Sequence, residues 1–200
     1  MEKIIIGSGN SHKIEEIKSY FSDLDLKFSG LDQNLDLPPV IEDGSSYKEN
    51  ALKKARQRAS ELNEIVLADD SGLSVDFLDG APGIYSARFG GEDLNDREKY
   101  LKVLKLLKGQ PESKRKAAFV SVIALVDPFK DIEITVEGRC EGLIAEEPAG
   151  KNGFGYDPIF YLPEFDKTMA QLSQEQKNQI SHRGRALKKM KKEIKRRYLK

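Results

Sequence analysis

Two adjacent acids, Asp69 and Asp70, follow an apolar run from Ile65 to Ala68 and precede Ser71-Gly72. Carboxylates placed side by side at the end of a buried strand repel each other unless a cation or hydrogen bonds compensate. Oxygen ligands suit Mg²⁺, which keeps several waters and bridges one or two carboxylates to substrate phosphates. A carboxylate there is also placed to accept a proton from an attacking water. The plainer alternative is that one of the two acids caps a turn. A second acidic pair, Glu42-Asp43, precedes Gly44 and is able to complete a metal site, although alone it reads as a solvated turn.

Three further segments carry residue types that do not serve packing. Gly7-Ser8-Gly9-Asn10-Ser11-His12-Lys13 lies between a strand-like run and the start of a helix. Small residues there let backbone N–H groups approach an anion, and the helix dipole adds to the attraction. Asn10 and Lys13 add side-chain donors. The segment is neither a Walker loop nor the dinucleotide fingerprint. Gly153-Phe154-Gly155-Tyr156-Asp157-Pro158 sets aromatics between glycines, a pattern able to stack on a planar base, with Asp157 as an acceptor. A structural aromatic plug is the alternative. Lys177 and Ser181-His182-Arg183 concentrate polar donors, and Lys177 and Ser181 are spaced to share one helix face.

The elements that must position these groups are legible from periodicity. Lys3 to Ile6 reads as a buried strand, followed by a helix over 12–22 with Ile14, Ile17 and Phe21 on one face and Ser11 as its cap. Residues 25–43 read as irregular. A helix over 46–62 opens with a capping box, Ser46 to Glu49, and shows an apolar face of Ala51, Leu52, Ala55, Ala59 and Leu62. Ile65 to Ala68 predicts a buried strand ending at the acids. A glycine-rich stretch over 71–91 precedes a helix over 95–108 closed by Gly109. Strands near 117–126 and 131–138 are joined by an Asp127-Pro128 turn, and a loop from Ala149 to Pro158 leads into a short strand, Ile159 to Leu162. The last thirty residues read as mostly helical, with Ile180, Leu187, Met190 and Ile194 at helical spacing. Helices mixed with crossover and hairpin strands predict an α/β fold with a mixed sheet in a single domain, 1–200.

Bulk composition excludes some classes. Lys plus Arg number 33 and Asp plus Glu number 33, so no overall polyanion-binding field exists and no nucleic-acid partner is expected. The zero hides eight basic residues and one acid over 188–200, where Met190 and Ile194 keep the amphipathic period. The single cysteine, Cys140, has neither a disulfide partner nor a CxxC neighbour. Lys3 to Ile6 is too short for a signal-peptide core. The stretch Ala117 to Val126, interrupted by Ser121, is about half a bilayer span. A cytoplasmic protein without membrane contact is expected.

Taken together and in order, the motifs resemble those of the inosine/xanthosine triphosphate pyrophosphatase family. These enzymes hydrolyse non-standard purine nucleoside triphosphates to the monophosphate and pyrophosphate and so cleanse the nucleotide pool. The resemblance is carried by Ser8-Gly9-Asn10-x-x-Lys13, Glu49-Asn50-Ala51, Ala68-Asp69-Asp70-Ser71-Gly72-Leu73, the run Gly80 to Arg88, Gly153 to Pro158 and Ile180-Ser181-His182-Arg183. Ser8 departs from the threonine common in the family but keeps the hydroxyl. The resemblance implies an elongated, two-lobed α/β fold around a mixed, twisted sheet, with the nucleotide in the cleft between the lobes, and a homodimer. It implies that Ser8, Gly9, Asn10, Ser11, His12 and Lys13 hold the triphosphate. Asp70 is then the general base and a Mg²⁺ ligand, Glu42 supports the metal, and Asp69 helps position it. Ser71 contacts the substrate. Phe154 stacks on the purine beside Gly155, Tyr156 and Asp157, and Lys177, His182 and Arg183 reach the base. A donor-lined pocket suits the 6-oxo group of hypoxanthine or xanthine and leaves donor facing donor when adenine enters.

Overall fold

The computed structural model describes residues 2–31, 35–91 and 93–199. Seven strands form one sheet in the order β2-β1-β3-β4-β5-β6-β7. They are β1 (Lys3–Ile6), β2 (Lys27–Gly30), β3 (Ile65–Val75), β4 (Lys116–Asp127), β5 (Ile132–Ile144), β6 (Phe160–Leu162) and β7 (Lys167–Thr168). The helices are α1 (Ser11–Tyr20), α2 (Tyr47–Leu62), α3 (Asp96–Leu106), α4 (Gln174–Ile180) and α5 (His182–Tyr198), with short 3-10 turns between them. β1 pairs in parallel with both β2 and β3, whereas β5–β6 and β6–β7 are antiparallel. The sheet is therefore mixed, as α/β patterning predicts. No helix among the described residues is long and apolar enough to cross a membrane.

The chain divides into two compact units. The first comprises Met1–Asp70, Ser121–Gly138 and Arg183–Lys200; the second comprises Ser71–Val120 and Arg139–His182. In the first unit the two-residue strand period sends alternate side chains to opposite faces. Ile4, Ile6, Ile65, Leu67, Ile123 and Leu125 meet Ile17 of α1, Phe21 just past its end, and Leu187, Met190 and Ile194 of α5. Ile5, Val66, Ala68, Val122, Ala124 and Val126 meet Ala51, Ala55 and Ala59 of α2. Burial on both faces explains why these strands read as continuous apolar runs rather than alternating ones. The alanine stripe lets α2 lie close against its face of the sheet.

In the second unit Leu73 and Val75 of β3, Ala117 and Phe119 of β4, and Cys140 and Ile144 of β5 pack with Val103 and Leu107 from α3 and its end, and with Phe160, Met169 and Leu172. Buried Arg115 donates to the carbonyls of Leu107, Ile144 and Ala145, so its charge serves chain connections rather than a ligand.

Several boundaries differ from the sequence reading for identifiable reasons. Asn10, not Ser11, caps α1, its side-chain oxygen accepting from the Lys13 N–H at 3.1 Å. Ser46 caps α2 as expected, but the Glu49 carboxylate accepts from Ser45 rather than from the Ser46 N–H, so the box is displaced by one residue. β2 lies inside the segment read as irregular; its neighbours at 32–34 lie outside the described residues. β3 does not stop at the acids but continues through them to Val75. The read helix through Ser181 is two helices, because Ser181 is extended (φ −65, ψ 158) and ends α4.

Fully buried Ala55 has no room for a larger side chain. Ala55→Leu is expected to destabilise the protein by about 1–3 kcal/mol through overpacking. A lowered midpoint of urea unfolding at unchanged slope is the check.

Candidate active site

Adjacent residues on a strand point to opposite faces, and β3 applies that rule to its two acids. Asp69 shares a face with Ile65 and Leu67, the side covered by α1 and α5; Asp70 shares the other with Val66 and Ala68, the side covered by α2. Both acids are buried, and each side of the sheet supplies cations to its own acid.

On the α1/α5 side, Asp69 accepts from Lys13 Nζ at 2.8 Å and from Ser121 Oγ at 2.5 Å. The Arg183 guanidinium, in the first turn of α5, lies 3.4 Å from the same carboxylate and pairs with Glu16 of α1 at 2.7 Å. Burial pushes the Asp69 carboxyl up, but Lys13, Arg183 and the hydrogen bonds outweigh it and hold the group well below the usual carboxylate range. Lys13 moves down as well: burial dominates, and Arg183 and Lys54 add repulsion that Asp69 does not fully offset.

On the α2 side, Asp70 Oδ1 accepts from Lys54 Nζ at 2.7 Å, and Lys54 also reaches Glu42 at 3.2 Å. Burial raises the Asp70 carboxyl; Lys54 opposes the rise and Glu42 adds to it. Burial acts to lower Lys54, yet Asp70 and Glu42 prevail and its net shift is upward. Asp70 Oδ2 is buried and, among the described residues, has no hydrogen-bond partner. The loop carrying Glu42 is fastened by buried Asn50, whose side-chain oxygen accepts from the Gly44 N–H at 2.8 Å. A Cβ on Gly44 would lie 2.7 Å from that oxygen, so the approach requires glycine.

Two carboxylates, one with an orphaned buried oxygen, fit a Mg²⁺ ion completed by waters and substrate phosphates. They do not form a closed protein cage: among the described residues no group of three or more His, Cys, Asp or Glu is arranged to hold a metal. Asp69 and Asp70 face opposite sides of the sheet and have separate partners. Ser8, Gly9 and Asn10 form the accessible loop ahead of α1, where Asn10 N–H donates to Ser8 Oγ at 3.2 Å, and Ser11 and His12 begin the helix as exposed residues.

The second unit holds the aromatic loop. Asp157 is buried and its Oδ2 accepts from the Phe154 N–H at 2.9 Å and from Lys177 Nζ at 2.8 Å. Lys177 Nζ stands 5.6 Å from the Phe154 ring centroid. Gly153 has φ 77°, and a Cβ there would fall 2.0 Å from Asp157 Oδ2. Gly155 N–H donates to Asp96 at 2.8 Å. Tyr156 is buried and its hydroxyl donates to the Ser86 carbonyl at 2.9 Å, the role of an anchor. The His182 ring stacks on Phe119 at 4.6 Å. Ser71 opens this unit, half-buried. Arg183, read from sequence with Lys177 as a base contact, pairs with Asp69 and Glu16 within the first unit.

Sequence reading missed Lys54, Asn50, Ser121 and Glu16. The first two had a signal: Asn50, Lys54 and Arg58 recur every four residues beside the alanine stripe 51/55/59 and are all buried. Ser121 had one too, as the lone hydroxyl inside the apolar run of β4.

A model of the Ham1 family matches residues 4–193. The dITP/XTP pyrophosphatase of Shouchella clausii (strain KSM-K16) is 47% identical over 194 residues, covering 97% of each chain. That of Clostridium perfringens (strain 13 / Type A) is 46% identical over 202 residues, covering 98% of each. Among solved structures, a HAM1 protein from Coxiella burnetii superposes with a TM-score of 0.89 at 42% identity, covering 98% of this chain and 100% of that one.

Because the Asp69 carboxyl titrates lower folded than unfolded, its stabilisation is present above the unfolded value, about 3.9, and is lost as pH falls below it. Asp69→Asn is expected to lower stability at pH 7 and to flatten its decline between about pH 5 and pH 3. Urea midpoints across that range test this; a variant as steeply acid-sensitive as the native chain would contradict the assignment.

Proposed function

The chain belongs to the Ham1 family, and on that premise we propose that it hydrolyses non-standard purine nucleoside triphosphates (dITP, ITP and XTP) to the nucleoside monophosphate and pyrophosphate. Relatives named for dITP and XTP, similar over nearly their whole length, support the substrate class. The observation that carries the chemistry is Asp70: a buried carboxylate with a raised pKa, one oxygen held by Lys54 and the other unpartnered among the described residues.

Each residue role follows from its surroundings. Asp70 and Glu42 would hold Mg²⁺, and the ion, when bound, supplies charge neutralisation of the phosphates. Asp70 would orient the attacking water and take its proton through the oxygen left without a partner among the described residues. Lys13 and the backbone of Ser8 to His12 bind phosphate oxygens at the start of α1, where Asn10 already orders the first turn. Lys54 remains close to the developing charge. Hydrolysis breaks the anhydride between the α- and β-phosphates, releasing pyrophosphate.

In the second unit Phe154 offers a ring face to the purine, and Gly153 leaves the room in which Asp157 holds that loop. Asp157 fixes both the Phe154 backbone and the Lys177 ammonium, so Lys177 presents donors to a 6-oxo group. Adenine would set its 6-amino donor against that ammonium, and a mispaired donor in a buried site costs about 1–3 kcal/mol or more. Ser71 contacts the substrate, His182 is held at the base end by its stack on Phe119, and Tyr156 supports the loop from beneath. Arg183 is held within the first unit by Asp69 and Glu16. Homodimerisation rests on the family resemblance.

A nucleotide panel with and without Mg²⁺ tests the reading. Pyrophosphate release from dITP and XTP, little from dATP or dUTP, and none without a divalent ion is expected. Asp70→Asn is expected to lower kcat by roughly 10²–10⁴-fold while nucleotide still binds, seen by calorimetry. An Asp70→Asn variant that turns over dITP at the native rate would remove Asp70 as the base.

A further inference from the structure

The acid next to the proposed base has no place in the chemistry described so far, yet it is held by more side chains than Asp70 is. Asp69 is 2% exposed. Its two oxygens receive a serine from β4, a lysine from α1 and the arginine that opens α5. Three separate chain segments thus converge on one carboxylate. Strand alternation turns it away from Asp70, Lys54 and Glu42, and Oδ1 is occupied by Ser121 at 2.5 Å. A Mg²⁺ ion at Asp69 would have to displace Lys13 or Ser121, both hydrogen-bonded to it at short distance.

We propose that Asp69 is a positioning residue outside the metal site, whose carboxylate holds the phosphate-binding Lys13 and the guanidinium of Arg183 in one fixed arrangement. The inference rests on the reading of Lys13 as a phosphate ligand. An unanchored lysine would sample many rotamers, and ordering it on substrate binding costs conformational entropy. Asp69 removes that freedom beforehand, with Ser121 fixing the carboxylate and Glu16 fixing the far side of Arg183. Its effect should therefore appear in KM for the triphosphate and vanish when Lys13 is absent.

The experiment compares Asp69→Asn, Asp70→Asn, Lys13→Met and the Asp69→Asn/Lys13→Met double variant. Mn²⁺ affinity without nucleotide is read by paramagnetic resonance, and kcat and KM are read with dITP. Asp69→Asn is expected to leave Mn²⁺ affinity within roughly twofold of native, where Asp70→Asn weakens it roughly tenfold or more. It is expected to raise KM roughly tenfold, and to add less than about twofold to the loss already caused by Lys13→Met. Loss of Mn²⁺ binding in Asp69→Asn would make Asp69 a ligand and overturn the proposal; so would full multiplication of the two single effects. Should Asp69→Asn fail to fold, Ser121→Ala replaces it, with a smaller rise in KM and unchanged Mn²⁺ affinity expected and a loss of Mn²⁺ affinity contradicting. A native chain inactive on dITP would refute the substrate reading instead, while the Mn²⁺ comparison would still decide where Asp69 belongs.

Discussion

Two carboxylates cannot sit next to each other in a buried strand unless each charge is compensated on its own side of the sheet. That constraint organises the first unit. β3 directs Asp69 toward α1 and α5 and Asp70 toward α2, and each helix layer answers with cations: Lys13 and Arg183 for one acid, Lys54 for the other. Breaking such a pair by removing one partner leaves an uncompensated buried charge, which is strongly destabilising. The positions of the helices, the caps that start them and the small residues that let α2 approach are all requirements of that compensation.

The two acids are thereby given opposite chemistry. Asp69 is surrounded by donors and stays ionised; Asp70 has one ammonium, a second carboxylate nearby and an oxygen left without a partner among the described residues. Environments that push neighbouring titratable groups apart are how a fold separates a structural charge from a reactive one. The same economy recurs in the second unit, where Asp157 orders both the backbone of Phe154 and the ammonium of Lys177.

Much of this was legible in the sequence. The Ser46 cap, the alanine stripe of α2, the apolar strands and the stop at Gly109 follow from local periodicity and turn chemistry. What local rules missed is tertiary. β3 runs through its acids because cations from distant segments satisfy them, so polarity does not end the strand. Lys54 was not singled out because its partners, Asp70 and Glu42, come from other segments of the chain. Ser181 breaks a helix without a glycine or proline to announce it. Lys177 and Ser181 lie four apart, but Ser181 is already outside the helix that carries Lys177.

The division of labour between the two acids can be observed directly. A crystal of the protein with Mn²⁺ and a non-hydrolysable dITP analogue should show anomalous density about 2.1–2.2 Å from an oxygen of Asp70, with Glu42 in or beside its coordination shell, and the Asp69 carboxylate still bound to Lys13 and Ser121. Anomalous density bridging Asp69 and Asp70, with Lys13 displaced, would contradict it.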